Sequence, residues 1–216
     1  MTGVQTCALP ILVIFDLGRV LIRICDGWAH ACEVAGVRAP RLDLPLEEKL
    51  VAASHAHERG EVSNDRFFET TAALVGLEPA EVERVATQWL RGPMPEIEPL
   101  IDDVLASGVQ TACLSNTNAL HWGMMNGRGP NGLPLHKLHH RFASHELGVM
   151  KPDTAIYEAV ETATGVTPNR IVFFDDHPPN IAAAARRGWH AHRITPDRRS
   201  ADQMREHLAQ HRILVD

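Results

Sequence analysis

Three short apolar runs constrain the fold of this chain most strongly. They are LVIF (12–15), VQTACL (109–114) and IVFF (171–174), and weaker runs of the same kind are HRFAS (140–144) and HAHRI (190–194). Helical patterns lie between them, in PEIEPLIDDVLASG, KPDTAIYEAVETATG and NIAAAARRG. Apolar runs that alternate with amphipathic helices are typical of parallel strands buried on both faces. The sequence therefore predicts an α/β fold with a doubly wound, mainly parallel sheet.

Residues 25–95 break this alternation and contain no convincing strand. Two segments have helical patterns, SNDRFFETTAALVG and EPAEVERVATQWLRG, and the first begins with a capping serine and ends with a glycine. We predict an inserted helical cap subdomain here, and a core domain formed by 12–24 and 96–216. The segment at 122–140 is rich in Gly, Pro and Asn, which predicts an irregular loop.

Charge and composition argue against two function classes. The chain carries a formal net charge of −6, whereas a general nucleic-acid-binding protein needs a basic face. No apolar run is long enough to cross a bilayer, so no membrane partner is expected.

The four cysteines have the spacing of neither a zinc site nor a disulfide framework. Reduced thiols in a cytoplasmic protein are the simplest interpretation.

The first eleven residues, MTGVQTCALPI, lack the charge and the apolar core of a signal peptide. They resemble the translation of a common sequencing-library adapter. We therefore expect residues 1–11 to be a non-native leader.

Polar side chains follow each of the three strongest runs. LVIF is followed by Asp16, the second run by Ser115 and Asn116, and IVFF by Asp175 and Asp176. In an open α/β sheet, ligands bind outside the carboxyl ends of the strands, so these groups are predicted to converge. Carboxylate and carbonyl oxygens are the ligands that Mg²⁺ prefers. Each acid alone could be a turn or helix-capping residue, but three strand ends together favour a site.

Four ordered motifs resemble those of the haloacid dehalogenase-like (HAD) hydrolase superfamily. They are Asp16-x-Gly-x-Val, then LSNTN, then the lysine of GVMKPD, then FFDDHPPN. The helical insertion after the first strand is similar to the helical cap of that family. HERGEVSNDRFF (57–68) also resembles the cap of the subgroup that includes glucose-1-phosphate phosphatase and the phosphatase domain of soluble epoxide hydrolase.

The resemblance implies a role for each residue that would handle the phosphoryl group. Asp16 would attack phosphorus and form an aspartyl-phosphate. Ser115 and Asn116 would form hydrogen bonds with the phosphoryl oxygens. Lys151 would neutralise the phosphate and the nucleophile, as a point charge on a flexible stem can.

The resemblance also implies a Mg²⁺ cofactor. Asp16, Asp176 and the backbone carbonyl of Gly18 would bind the ion, and Asp175 would support that set of ligands. Two further residues of the last motif are predicted to have supporting roles, His177 and Asn180.

Gly18 departs from the pattern of most phosphatases in this family. They have a second aspartate at this position, which protonates the leaving oxygen and later activates water. The glucose-1-phosphate phosphatase-like branch also has Asp-Leu-Gly here. Either the leaving group needs little protonation, as for an anomeric sugar oxygen, or another side chain takes over the role. The candidates are His177, His55 and His57.

The sequence therefore leaves three functions open. The first is a Mg²⁺-dependent phosphatase that acts on a small phosphorylated metabolite such as a sugar phosphate. The second is a 2-haloacid dehalogenase, which in this family uses the first aspartate without the second. That type of enzyme needs no metal and typically lacks the acids of FFDD, which argues against it here. The third is a phosphate-binding protein with weakened catalysis. The sequence does not indicate an oligomeric state.

Overall fold

The computed structural model describes residues 12–214, so the predicted leader lies outside the described residues. Within that range the chain forms seven strands: β1 (Leu12–Phe15), β2 (Ile22–Ile24), β3 (Leu90–Pro93), β4 (Gln110–Ser115), β5 (His140–Ala143), β6 (Ile171–Asp175) and β7 (His190–Arg193). It also forms ten α-helices: α1 (Trp28–Ala35), α2 (Leu44–Glu58), α3 (Asn64–Val75), α4 (Pro79–Thr87), α5 (Ile97–Ala106), α6 (Ala119–Asn126), α7 (Ser144–Leu147), α8 (Thr154–Thr164), α9 (Pro178–Arg186) and α10 (Ser200–Gln210).

The five strands predicted from apolar runs form one parallel sheet with the order β5-β4-β1-β6-β7. The chain builds outward from β1 first on one side and then on the other, which is the doubly wound arrangement. Alternate residues of β1 point to opposite faces. Val13 and Phe15 pack with α5 and α10, whereas Leu12 and Ile14 pack with α8 and α9. The predicted fold class is confirmed, and it places the ends of β4 and β6 on either side of the end of β1.

The inserted block is mainly helical, with α1 to α4 between β2 and β3. The prediction for the first helical segment is confirmed: the side chain of Ser63 accepts a hydrogen bond from the backbone N–H of Arg66, and Gly76 ends α3 with a φ of 70°. The prediction that residues 25–95 contain no strand is wrong, because Leu90–Pro93 pairs antiparallel with Ile22–Ile24. Leu-Arg-Gly-Pro has a weak strand propensity, and the pairing with β2 stabilises it.

The prediction of an irregular loop over 122–140 is wrong for its first five residues, which belong to α6. The side chain of Asn118 caps this helix by accepting a hydrogen bond from the backbone N–H of His121. Between α6 and β5 there is one 3₁₀ turn, at Leu135–Lys137. In the described part of the chain no helix has the length and apolarity that a membrane span requires.

Candidate active site

The carboxyl ends of β1, β4 and β6 bring the predicted site residues together. Phe15 lies opposite Cys113 on one side and Phe174 on the other, so Asp16 follows β1 between the two neighbouring strands. The backbone N–H of Asp16 donates to the carbonyl of Phe174 at 2.8 Å, which holds the first residue after the strand in place. Asp16 is 7% exposed, so its carboxylate is almost removed from water.

Lys151 occupies the centre of the site and is only 2% exposed. Its Nζ lies 2.8 Å from Asp16 Oδ1 and 2.6 Å from Asp175 Oδ2, and it donates to the carbonyl of Leu114 at 2.9 Å. Burial alone would lower the pKa of Lys151, but Asp16 and Asp175 raise it above its ordinary value. The ammonium group is therefore charged and has a partner for each of its three protons.

The pKa of Asp16 is set by opposing effects of its surroundings. Burial outweighs the ion pair with Lys151 and raises the pKa of Asp16 to about 7. The neighbouring carboxylates Asp175 and Asp176 add to this rise. Ionised Asp16 therefore needs more positive charge nearby than Lys151 alone supplies.

Asp175 is fully buried at the end of β6 and supports the other residues. Its Oδ1 accepts a hydrogen bond from the backbone N–H of His177 at 2.8 Å. The side-chain amide of Asn180 donates to both of its carboxylate oxygens at 3.1 Å. These bonds fix the carboxylate that in turn contacts Lys151. His177 itself is exposed at the start of α9.

Asp176 is the more accessible of the two consecutive acids, with a side chain 26% exposed. Burial, and then the charge of Asp175, raise the pKa of Asp176. Arg19 Nη1 lies 3.9 Å from Asp176 Oδ2, a long contact that leaves the carboxylate largely uncompensated.

The acids of this site fit a hard divalent cation. Asp16, Asp175 and Asp176 each present one carboxylate oxygen, and the three oxygens lie within 4.8 Å of one another. Asp175 is already bound by Lys151, Asn180 and a backbone N–H, so Asp16 and Asp176 are the two acids best placed to hold an ion. Oxygen ligands of this kind suit Mg²⁺, and its charge would relieve the repulsion among the acids.

Ser115 and Asn116 differ in how their side chains are used. The hydroxyl of Ser115 is buried, and among the described residues its one hydrogen-bond contact is a long one of 3.4 Å to the carbonyl of Asn116. Asn116 exchanges two hydrogen bonds of 2.8 Å with the backbone of Lys151, one donated and one accepted. The Asn116 side chain therefore holds the lysine segment, a role that the sequence did not reveal.

A cavity of about 220 Å³ lies between the core and the helical insertion. Its wall from the core includes Gly18, Ser115 and Asn116. Its wall from the insertion is mostly apolar, with Glu58 as the single carboxylate among the described lining residues. The main apolar lining residues are Ile24, Trp28, Phe67, Val85, Trp89 and Met125.

The histidines predicted as alternative proton donors occupy different positions. His57 lines the cavity, but its ring stacks on Phe67 with 4.3 Å between centroids and its Nε2 contacts Asn64 Oδ1 at 2.8 Å. Burial lowers the pKa of His57. His55 lines a neighbouring cavity between α1 and α2, and His177 is not part of either lining.

Comparisons with known proteins identify the family. The family model described as haloacid dehalogenase-like hydrolase matches residues 12–188. A predicted HAD-like family hydrolase from Porphyromonas gingivalis is similar in structure with a TM-score of 0.75 and 22% identity, over 93% of this chain and 98% of that one. A HAD family enzyme from Bacteroides thetaiotaomicron, solved with magnesium and inorganic phosphate, has a TM-score of 0.69 and 19% identity, over 87% of this chain and 95% of that one.

A third similar structure represents the other chemistry considered above. It is an L-2-haloacid dehalogenase from Xanthobacter autotrophicus with chloropropionic acid covalently bound, with a TM-score of 0.61 and 17% identity, over 96% of this chain and 85% of that one. Likeness at this level of identity concerns the fold, whereas the family model covers most of the chain. The resemblance to one cap subgroup stays a prediction. The match of the family model confirms the predicted superfamily, and the chain belongs to the haloacid dehalogenase-like hydrolases.

Proposed function

We propose that this hydrolase is a Mg²⁺-dependent phosphatase that cleaves a small phosphorylated metabolite through an aspartyl-phosphate. The observation that carries the proposal is the cluster of three acids around Lys151. Asp16 and Lys151 suit covalent attack on an anionic substrate, and the additional acids suit a divalent cation.

In the first step an Asp16 carboxylate oxygen forms a bond with phosphorus while the ester P–O bond breaks. Lys151 reduces the repulsion between the carboxylate and the phosphoryl group. The Ser115 hydroxyl and the backbone N–H of Asn116 donate to phosphoryl oxygens, since the Asn116 side chain is bound to Lys151. Water then attacks phosphorus, and the bond to Asp16 breaks to give inorganic phosphate.

Asp16, Asp176 and the carbonyl of Gly18 would hold Mg²⁺. When bound, the ion neutralises charge on the phosphoryl oxygens and on the two carboxylates. Asp175 orients Lys151 and is itself held by Asn180 and by the backbone N–H of His177.

The volume of the cavity favours a small ester as substrate. Its apolar wall fits a compact organic group, and the lining side chains of Ser54 and Glu58 could bind sugar hydroxyls. Those of His57 and Asn118 are already bound to Asn64 and His121. The free, buried cysteines of the described chain, Cys25, Cys32 and Cys113, fit the proposed cytoplasmic location.

A 2-haloacid dehalogenase is the second candidate. Gly18, which supplies no carboxyl, and the apolar cavity wall favour it. The acids at the end of β6 favour the phosphatase, because the transferred phosphoryl group carries charge that a bound cation neutralises, whereas the dehalogenases of this family need no metal.

Purified protein assayed for phosphate release from a panel of phosphorylated metabolites, with Mg²⁺ and with EDTA, tests the proposal. We expect Mg²⁺-dependent release that is lost in Asp16→Asn. Chloride release from 2-chloropropionate is assayed in parallel. Phosphate release by Asp16→Asn at the wild-type rate would exclude Asp16 as the nucleophile. Chloride release that persists in EDTA, without phosphate release, would favour the dehalogenase.

A further inference from the structure

We propose that Glu58, at the end of cap helix α2, is the catalytic proton donor and acceptor that replaces the acid missing at position 18. The inference rests on the phosphatase function proposed above and adds a residue to it that comes from the cap. Neither the four motifs nor the core acids point to this residue.

The location of Glu58 is the first argument. It lines the same cavity as Gly18, Ser115 and Asn116, and it is half-buried. Among the described lining residues it is the single carboxylate. Ser115 and Asn116, the residues proposed to bind the phosphoryl group, belong to this lining, so a leaving group next to them would lie in the cavity that Glu58 also lines.

The second argument is that the core fixes the end of α2. The hydroxyl of Ser144 lies 2.5 Å from the carbonyl of Glu58, and it also contacts the backbone N–H and carbonyl of Thr117 at 2.9 and 3.0 Å. Gly60 packs so closely that a Cβ there would lie 2.3 Å from the carbonyl of His145. Glu58 is thereby tied to the loop that carries Ser115 and Asn116.

The electrostatic surroundings suit proton transfer. Burial raises the pKa of Glu58 to about 7, against the lowering effects of Lys151 and then Arg59. Both protonation states of this carboxyl are accessible near neutral pH, as a group that donates and later accepts a proton requires.

The nearby histidines are less suitable. His121 is held on both ring nitrogens, by the carbonyl of Ala86 at 2.9 Å and by the amide of Asn118 at 3.2 Å. Burial lowers the pKa of His121 to about 4, and that of His57 is also lowered. Both rings are therefore neutral at pH 7 and are poor proton donors there.

The proton balance of the proposed cycle closes. When the ester P–O bond breaks, the Glu58 carboxyl gives its proton to the leaving oxygen and becomes a carboxylate. That carboxylate then takes a proton from the water that attacks phosphorus. The bond between phosphorus and Asp16 breaks, phosphate leaves, and Glu58 is protonated again.

The test compares two aromatic substrates that differ in their need for a proton, p-nitrophenyl phosphate and benzyl phosphate. Single-turnover release of nitrophenol or benzyl alcohol is measured with Mg²⁺ in wild type, Glu58→Gln and the matched control Glu61→Gln, whose exposed residue lies three positions further on. We expect Glu58→Gln to slow benzyl alcohol release by about 10²- to 10³-fold and nitrophenol release by less than about tenfold. It should also accumulate phosphorylated Asp16 with p-nitrophenyl phosphate, because the water step lacks its base.

A second variant distinguishes the loss of a proton donor from damage to the fold by Glu58→Gln. A Cβ at Gly18 would lie 3.6 Å from Ile24 Cδ1, an ordinary contact, so the backbone there tolerates a residue with a Cβ. Gly18→Asp in the Glu58→Gln background should recover benzyl alcohol release at least about tenfold. Equal losses on both substrates, or an unchanged ratio, would overturn the role of Glu58. A wild-type protein that cleaves neither these esters nor any of the phosphorylated metabolites tested above would instead overturn the phosphatase proposal and this inference with it.

Discussion

Asn116 and Lys151 are joined by two hydrogen bonds of 2.8 Å, in which the side-chain amide of Asn116 pairs with the backbone N–H and carbonyl of Lys151. The Asn116 side chain thereby connects the loop after β4 with the loop that carries Lys151. The position of Lys151 Nζ between Asp16 and Asp175 depends on this pairing as well as on its own ion pairs.

Asn116→Ala should therefore lower kcat by about 10- to 100-fold, because it lets Lys151 move relative to Asp16. KM should change less than kcat, since the substrate keeps its other contacts. Asn126→Ala is the control: Asn126 is exposed and donates to the carbonyl of Trp122 away from the site. Steady-state kinetics of both variants decide the point, and equal activities would contradict a positioning role for Asn116.

Lys151→Met should destabilise the fold as well as abolish turnover. It leaves Asp16 and Asp175 as buried acids without their cation, which costs about 3–5 kcal/mol of unfolding free energy. Urea unfolding in EDTA measures this. The matched control is Lys137→Met, whose ammonium lies near Glu98 and Asp102 at the surface, and it should change stability little. Similar losses in the two variants would be inconsistent with the buried ion pair described here.

Asp176→Asn should weaken Mg²⁺ binding by about tenfold or more, because it removes one of the two carboxylates proposed to bind the ion. Isothermal titration with Mg²⁺ alone measures the affinity without any substrate. Asp26→Asn is the control, since Asp26 is an exposed acid that also contacts Arg19, at 3.4 Å. Equal Mg²⁺ affinities of the two variants would count against a metal site at Asp176.

Acid should destabilise the carboxyl-terminal part of the fold through His192. Its Nε2 lies 2.8 Å from His211 Nε2, and its ring stacks on His207 with 4.1 Å between centroids. Burial, with these neighbouring rings, lowers the pKa of His192 to about 4. The unfolded chain binds a proton near pH 6.5 and the folded chain does not, so stability present above that pH is lost as pH falls toward 4.

His192→Asn should reduce the loss of unfolding free energy between pH 7 and pH 5 by about 1 kcal/mol, a figure discounted for partial exposure. Urea unfolding at several pH values measures it. His136→Asn, at an exposed position, should leave the change of unfolding free energy with pH as it is in wild type. If the unfolding free energy of His192→Asn falls with pH as steeply as that of wild type, His192 is not the cause of the acid sensitivity.

The sequence predicts the core of this molecule well, because the three central strands β4, β1 and β6 are buried on both faces and therefore appear as strong apolar runs. The edge strands β5 and β7 are partly exposed, so their runs are weaker. Asp16 follows β1, and Asp175 and Asp176 lie at the end of β6. Because β1 and β6 are neighbouring parallel strands, the order of strands places these acids close together. β3 was not predictable in the same way, since Leu90–Pro93 is a strand only through its pairing with β2. Glu58 and Ser144 are 86 positions apart, and their contact depends on how the inserted helices pack on the sheet domain.

The Ser144 hydroxyl has a consequence for how the helical insertion is joined to the core. It has one proton and two carbonyl oxygens within reach, those of Glu58 and Thr117, so it donates to only one at a time. Rotation of this hydroxyl exchanges the acceptor without moving the backbone. When the hydroxyl donates to Glu58, it can still accept a hydrogen bond from the backbone N–H of Thr117. One side chain therefore connects the insertion with the loop after β4, and Ser144→Ala would remove both connections at once.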